Sequence, residues 1–319
     1  MKLIAEISCN HAGSKRNALK LIKEVAPYAT HVKLQLWEPD TMAIPGVEAP
    51  PPWDGVWLMD LYRQAETPRE WLPDLFSATI DAGAVPMVSV FDLPSLVFLE
   101  SIGCPEYKIA SFEAVDTQLL WEVGCTGKPM TISTGQVSMG ELQEIVGRLP
   151  VDIDLTLLHC VSEYPTRYGW VNMNRMVWMK QTFDDCRVGF SDHTQGTDAA
   201  MIAAALGADA IEKHVKLDGH DTLDAEFSIT PDRFRAMAFD IQCAQSMLGD
   251  GSDPTEFDLR RSLYFAREME VGETVSEADL ITRRPNAGLC PLDIKKALGR
   301  KLTQRVERYQ PVDLRLLDS

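Results

Sequence analysis

The sequence predicts an α/β chain: a closed (β/α)8 barrel of the TIM type, followed by a small C-terminal domain. Three observations carry this. Eight short β-rich runs alternate with helix-like segments over the first 250 residues, and strands alternating with helical patterns build parallel sheets. All eight runs carry a polar residue at or near their C-terminal ends, which is where a parallel barrel carries its chemistry. After Gly251 the composition shifts, with GDGSDPTEFD reading as a short acidic linker and the remainder as mixed short elements. The expected division is a barrel over 1–250, a linker over 251–259 and a compact module over 260–319. A doubly wound open sheet is the alternative, but no GxGxxG follows the first strand.

In chain order, the first strand is KLIAEIS at 2–8, with Glu6 inside its apolar run. KRNALKLIKEVAPYA at 15–29 has helical spacing, and THVKLQL at 30–36 is the second strand, interrupted by Lys33. The segment from about 37 to 67 is rich in proline and tryptophan, and a long excursion on the active face of a barrel is usually a lid or a binding loop. AVPMVSVF at 84–91 brings Ser89, EYKIAS at 106–111 brings Lys108 and Ser111, and PMTIST at 129–134 brings Ser133. GELQEIVGRL at 140–149 is helical, DLTLLHC at 154–160 is the sixth strand, and Ser162 lies a little beyond it. CRVGFS at 186–191 ends on Ser191 with His193 just past it, and DAIEKHV at 209–215 carries Glu212 and His214. In TPDRFRAMAFDIQCAQSMLG, Thr230 reads as an N-cap before Pro231, and Gly249 marks the stop.

A net charge of -16 argues against nucleic acid, whose phosphates need clustered Lys and Arg. It leaves room for a small anion, because two lysines or a metal reverse the sign inside a pocket. The seven cysteines form no CxxC pair, which points to reduced core thiols rather than disulfides or a thiolate metal site. MKLIAEIS carries Glu6 and lacks a signal-peptide pattern, and no apolar run reaches membrane-spanning length. A cytoplasmic protein without a membrane partner is the expectation.

His193 and His214 fall at matching points of consecutive strand–helix units, so in a barrel they converge on one mouth. Two imidazoles with carboxylate or water suit Mn²⁺, Fe²⁺, Co²⁺ or Zn²⁺, and the open positions suit a catalytic ion better than a structural one. Asp192 and Glu212 flank them as outer-sphere groups, and Glu212 could also move a proton. Lys33 and Lys108 need counter-charges if buried. Three readings stand beside each other: a Lys–Glu pair with Glu6, a Schiff-base lysine, and a clamp for a small polyanion with the serines as donors. Two lysines plus Ser89, Ser111, Ser133, Ser162 and Ser191 favour the clamp. His11 reads as a rim hydrogen-bonding residue, and His31 and His220 as solvated or locally ion-paired. A metal-dependent barrel hydrolase would show more ligands, such as an HxH on the first strand; a non-catalytic binding protein would have lost a lysine or histidine from the ring.

AEISCNHAGS, VKLQ, YKIASFE, STG, LLHCVSEYPT, VGFSDHTQG, GADAIEKHV and DAEFS together resemble the nonulosonic acid (sialic acid) synthases. RRSLYFAREMEVGETVSEADL, RRPNAGLCP and LGRKL resemble the antifreeze-like (SAF) domain that ends those enzymes. The resemblance implies condensation of phosphoenolpyruvate with an N-acetylated aminosugar to a nine-carbon 2-keto acid and phosphate. It assigns a divalent ion (Mn²⁺, Mg²⁺ or Co²⁺) to His193 and His214, and phosphoenolpyruvate to Lys33, Ser89, Lys108, Ser111, Ser133, Ser162 and Ser191. Glu6 and Glu212 become active-site carboxylates. The resemblance also implies that Asp224 faces the sugar and that Arg284 reaches its N-acyl group from the partner in a domain-swapped homodimer. GVWLMDLYRQAETPREWLPDLF and the FD-x-PS-x-x-FLE segment look most like the pseudaminic acid branch, which uses a 2,4-diacetamido-2,4,6-trideoxy hexose. LLHC with His159 looks more like the neuraminate branch, while Val90 in SVFD, Cys9 and PTRYGW depart from the usual motifs. Trp53, Trp57, Tyr62 and Trp71 are candidates for the sugar pocket, with packing as the alternative.

Overall fold

Side chains alternate across a strand, so each barrel strand reads as an outer apolar row and an inner row. Val32, Leu34 and Leu36 of the second strand join the apolar shell beneath the helices. The residues between them, His31, Lys33 and Gln35, therefore face the barrel interior. The same alternation sends Tyr107 and Ile109 outward and leaves Glu106 and Lys108 inside. The computed structural model describes residues 1–50, 53–252 and 259–318.

The strands are β1 Lys2–Glu6, β2 His31–Leu36, β3 Val85–Val90, β4 Tyr107–Ile109, β5 Met130–Ser133, β6 Leu155–His159, β7 Arg187–Asp192 and β8 Ala210–His214. They close in sequence order into one barrel, with parallel pairing throughout and β8 returning to β1. The helices are α1 Lys15–Val25, α2 Pro39–Met42, α3 Leu58–Ala65, α4 Leu72–Asp81, α5 Leu93–Ser101, α6 Thr117–Gly124, α7 Met139–Arg148, α8 Met173–Thr182, α9 Asp198–Ala205 and α10 Pro231–Leu248. The segment expected as one long loop over 37–67 holds α2 and α3, with a bridge between Glu48 and Trp57. Its Pro51 and Pro52 lie outside the described residues.

Local signals fix the helix ends. Ser138 and Glu141 form a capping box on α7, and Thr230 accepts from the Arg233 amide at the start of α10, which stops at Gly249 with φ 59°. Gly189 in β7 has a different role. A Cβ there would lie 2.1 Å from the Ala210 carbonyl oxygen, so only glycine lets β7 and β8 approach at this level, four residues before His193 and His214.

The chain separates into two compact units, Met1–Gly249 and Asp250–Ser319. In the second, β9 Ser262–Phe265 and β10 Leu280–Arg283 pair antiparallel over a small core that includes Leu263, Phe265, Val275 and Val306. The linker expected over 251–259 falls mostly on 253–258, outside the described residues. No helix among the described residues is long and apolar enough to cross a membrane. Cys9, Cys104 and Cys160 are buried thiols, whereas Cys125 is exposed and Cys186, Cys243 and Cys290 are half-buried. Core packing therefore accounts for only part of the cysteine content.

Candidate active site

A cavity of about 310 Å³ opens at the C-terminal ends of the strands, and its lining includes Lys33, Ser89, Lys108, Ser111, Ser133, Ser191, His193, Glu212, His214 and Asp224. Ten of the thirteen residues singled out in the sequence thus gather around one space. Glu6 is fully buried and stands behind Lys33. Ser162 sits at the edge, beside Gly135. Arg284 belongs to the second unit, where it is exposed at the cis Arg284–Pro285 peptide.

The cavity is built on a cluster of alternating charge. Lys33 Nζ lies 3.0 Å from Glu6 Oε2 and 2.8 Å from Glu212 Oε2, and Lys108 Nζ lies 3.8 Å from Glu212 Oε1. The Lys–Glu pairing and the two-lysine arrangement expected as rival readings occur together. Burial pushes the Lys33 ammonium down to about 7; Glu212 resists this and Lys108 adds to it. Burial alone would raise the Glu212 carboxyl, but Lys108 and Lys33 hold it well below the usual carboxylate range. Glu212 Oε1 also accepts from Ser191 Oγ at 2.9 Å, and Glu6 Oε1 accepts from Gln35 Nε2 at 3.0 Å.

Around this cluster lie hydroxyls with capacity to spare. Ser89 Oγ and Ser162 Oγ are buried without a partner in the protein, and such groups are ordinarily hydrogen-bonded. Ser111 Oγ accepts from the Gly135 amide at 3.1 Å and meets Cys160 Sγ at 3.1 Å. A Cβ on Gly135 would sit 2.6 Å from Ser162 Oγ and 3.1 Å from Ser111 Oγ. Glycine at that position keeps open a cradle of hydroxyls suited to an anionic oxygen.

The histidines form the next wall, with ring centroids 5.5 Å apart. His193 Nδ1 donates to the Val161 carbonyl at 2.9 Å, so its Nε2 carries a free lone pair, the pattern of an oriented metal ligand. His214 Nδ1 lies 3.4 Å from Asp224 Oδ2, and Asp224 is fixed by Ser8 Oγ at 2.6 Å. Among the described residues no three His, Cys, Asp or Glu side chains converge as a ligand set. The protein would supply two imidazoles, and substrate and water the rest. His11 is not a third ligand, because Gly13 N donates to its Nδ1 and its Nε2 faces Thr67 Oγ1.

Sequence reasoning missed several lining groups. Glu113, in YKIASFE, reaches the cavity, and burial pushes its carboxyl up to about 7, a value suited to proton transfer near neutrality. The sequence carried no signal for it, since Glu113 lies in a turn beyond β4 where period-two alternation no longer applies. Gln35, Tyr164 and Phe227 also line the space, with the Tyr164 ring 4.5 Å from His193 and tilted 46° to it. Of the tryptophans and tyrosine proposed for the pocket, Trp53 and Tyr62 line it. Trp71 instead packs edge-on against His11, and Trp57 is exposed. Cys9 lines the cavity, whereas His159 bonds Val171 O at 2.6 Å away from it. His31 is buried in β2 and pairs with Glu106 at 3.1 Å.

A closed parallel barrel with buried lysines, carboxylates and paired histidines at its C-terminal mouth defines the class: a barrel enzyme site shaped for an anionic substrate. The chain belongs to the NeuB family, which it matches over residues 22–253, with a SAF domain over 260–314. It is 36% identical to a pseudaminic acid synthase of Campylobacter jejuni, the alignment covering 96% of this chain and 93% of that one. A pseudaminic acid synthase of Helicobacter pylori is 35% identical, with 98% and 96% covered. The crystal structure of a putative spore coat polysaccharide biosynthesis protein E from Chromobacterium violaceum superposes with a TM-score of 0.81 at 25% identity, with both chains fully covered.

Proposed function

We propose that the chain condenses phosphoenolpyruvate with an open-chain N-acetylated aminosugar, forming a nine-carbon 2-keto acid and inorganic phosphate. The favoured sugar is a 2,4-diacetamido-2,4,6-trideoxy hexose. The observation that carries this reading is the placement of Lys33, Lys108 and the hydroxyl cradle beside His193 and His214 around one cavity. Lys33, Lys108 and Ser89, Ser111, Ser133, Ser162 and Ser191 hold the carboxylate and phosphate, fixing the enol face toward the aldehyde; orientation of this kind contributes up to about 7–11 kcal/mol in ideal cases. Bond formation joins C3 of the enol to the aldehyde carbon. Water then adds at C2, and the C2–O bond breaks to release phosphate. Glu212 opposes the loss of the Lys33 charge, and Glu212 and Glu6, both within 3.0 Å of Lys33, are the carboxylates that would face positive charge developing at C2. Glu113 is placed to pass a proton to the new hydroxyl. A divalent ion (Mn²⁺, Mg²⁺ or Co²⁺) on His193 and His214, which fit it through the lone pair left on His193 Nε2, would supply Lewis acidity at the aldehyde.

Two features support the unphosphorylated, deoxygenated sugar. Lys33 and Lys108, the only cations among the described lining residues, already serve the enol substrate. The upper wall is apolar, with Trp37, Trp53, Leu58, Leu61 and Phe91 suited to methyl and acetamido groups. The reading also places Arg284 on the sugar's N-acyl group within a domain-swapped homodimer, on the strength of the RRP motif. Phosphate release from phosphoenolpyruvate with a panel of N-acylated hexoses, with and without EDTA, tests the whole. Release without keto-acid formation, or indifference to chelator, would overturn it; N-acetylmannosamine as the preferred substrate would move the assignment to the neuraminate branch.

A further inference from the structure

Two ionised side chains that the cavity does not use stand directly behind it. Asp192 and Lys213 pair in register across β7 and β8, both have 0% exposure, and Lys213 Nζ lies 3.2 Å from Asp192 Oδ2. Alternation turns them away from Ser191 and Glu212, into the layer between barrel and helices. Lys213 Nζ also donates to the Thr194 carbonyl, and Asp192 Oδ1 accepts from the Thr194 amide at 2.8 Å. Both neighbours of His193 are therefore fastened to Lys213, and the residue after Lys213 is His214.

Stability alone does not account for this pair. Removing two charges from water is costly, and apolar side chains of similar volume often fill such a place with equal or better stability. What an apolar pair lacks is a directional tie between the chain at 192–194 and the chain at 213. We propose that the Asp192–Lys213 bridge is a positioning device that sets the separation and orientation of the His193 and His214 imidazoles for a divalent cation. This rests on the reading of those histidines as ion ligands.

The test is Mn²⁺ binding to the metal-free full-length protein, followed by electron paramagnetic resonance, for the wild type and an Asp192→Asn/Lys213→Met double variant. Outer-sphere positioning predicts about 10- to 100-fold weaker Mn²⁺ binding. The urea midpoint should be unchanged or higher, and phosphoenolpyruvate binding without metal should stay within about twofold of the wild type. Affinity retained in the folded double variant overturns the inference alone. Absence of Mn²⁺ binding by the wild type overturns the ligand reading as well. Should the double variant not fold, Lys213→Arg decides. It keeps the charge but displaces the point of attachment, and unchanged Mn²⁺ affinity in it is equally fatal.

Discussion

Raising the pH should weaken phosphoenolpyruvate capture through a single side chain, Lys33. Burial, opposed by Glu212 and assisted by Lys108, brings its ammonium from 10.5 to about 7. A cation with a depressed folded-state pKa is lost as pH rises through that value. About half of the free enzyme carries the charge at pH 7, about a tenth at pH 8 and about a hundredth at pH 9. The substrate phosphate, with a second ionisation near pH 6, is about nine-tenths doubly charged at pH 7 and gains little more above it. kcat/KM for phosphoenolpyruvate should therefore fall about fivefold from pH 7 to 8 and about tenfold more by pH 9. At saturation kcat should be flatter, because the bound anion raises the Lys33 pKa. Binding at pH 8 should also take up close to one proton, visible as a dependence of the calorimetric heat on the buffer's ionisation enthalpy. Lys33→Arg, charged at all these values, should lose the dependence. A flat kcat/KM profile from pH 7 to 9, or the same decline in Lys33→Arg, would refute the assignment.

Gly135→Ala should raise KM for phosphoenolpyruvate, since its Cβ would stand 2.6 Å from Ser162 Oγ. An overpacking cost of about 1–3 kcal/mol falling on binding corresponds to about 5- to 150-fold, and an unchanged KM would count against the cradle. Gly189→Ala, with its Cβ 2.1 Å from the Ala210 oxygen, should lose about 3 kcal/mol in urea unfolding; a wild-type midpoint would show that β7 and β8 part more easily than the backbone contact implies. Glu106 loses by burial but is held below its usual 4.5 by His31 and Lys2, so its contribution exists above that value and vanishes as pH falls through the folded pKa. Glu106→Gln should lower Tm at pH 7 and match the wild type in strong acid; a deficit constant down to pH 3 would contradict the linkage.

The barrel was legible because its signals are local. Lys33 and Lys108 stand out in apolar runs, and period-two alternation alone turns them inward. The serines and histidines at strand ends were legible because closure sends every C-terminal end to one mouth. Pairing partners were harder. That Glu212 rather than Glu6 alone sits between the lysines depends on the register of β8 against β1 and of β2 against β1, which no run of residues records. Trp71 and Trp57 were equivalent to Trp53 as sequence, and only the path of the chain from 37 to 71 separates one that faces the cavity from one that packs on His11. The Asp192–Lys213 tie was hidden for the same reason: each residue reads as a flank to a histidine until the two strands are set side by side.

Charge in the cavity leads to one more consequence. Lys33 and Lys108 face Glu6 and Glu212, and Asp224 and Glu113 line the same cavity, so the space holds no excess of positive charge before any ligand arrives. Adding phosphoenolpyruvate puts a polyanion into a low-dielectric site whose cations already have partners, where like-charge repulsion from Glu212 is strong. A divalent cation on the adjacent histidines offsets that excess, and the anion in turn strengthens the hold on the cation. The two affinities must then be coupled by the same factor in both directions. Phosphoenolpyruvate titrated with and without Mn²⁺, and Mn²⁺ titrated with and without phosphoenolpyruvate, should give matching ratios of about 5- to 150-fold. Glu212→Gln should shrink them by lifting the repulsion. Independent binding, with both ratios near one in the wild type, would mean that the four buried charges do not act as a single electrostatic unit with the histidine pair.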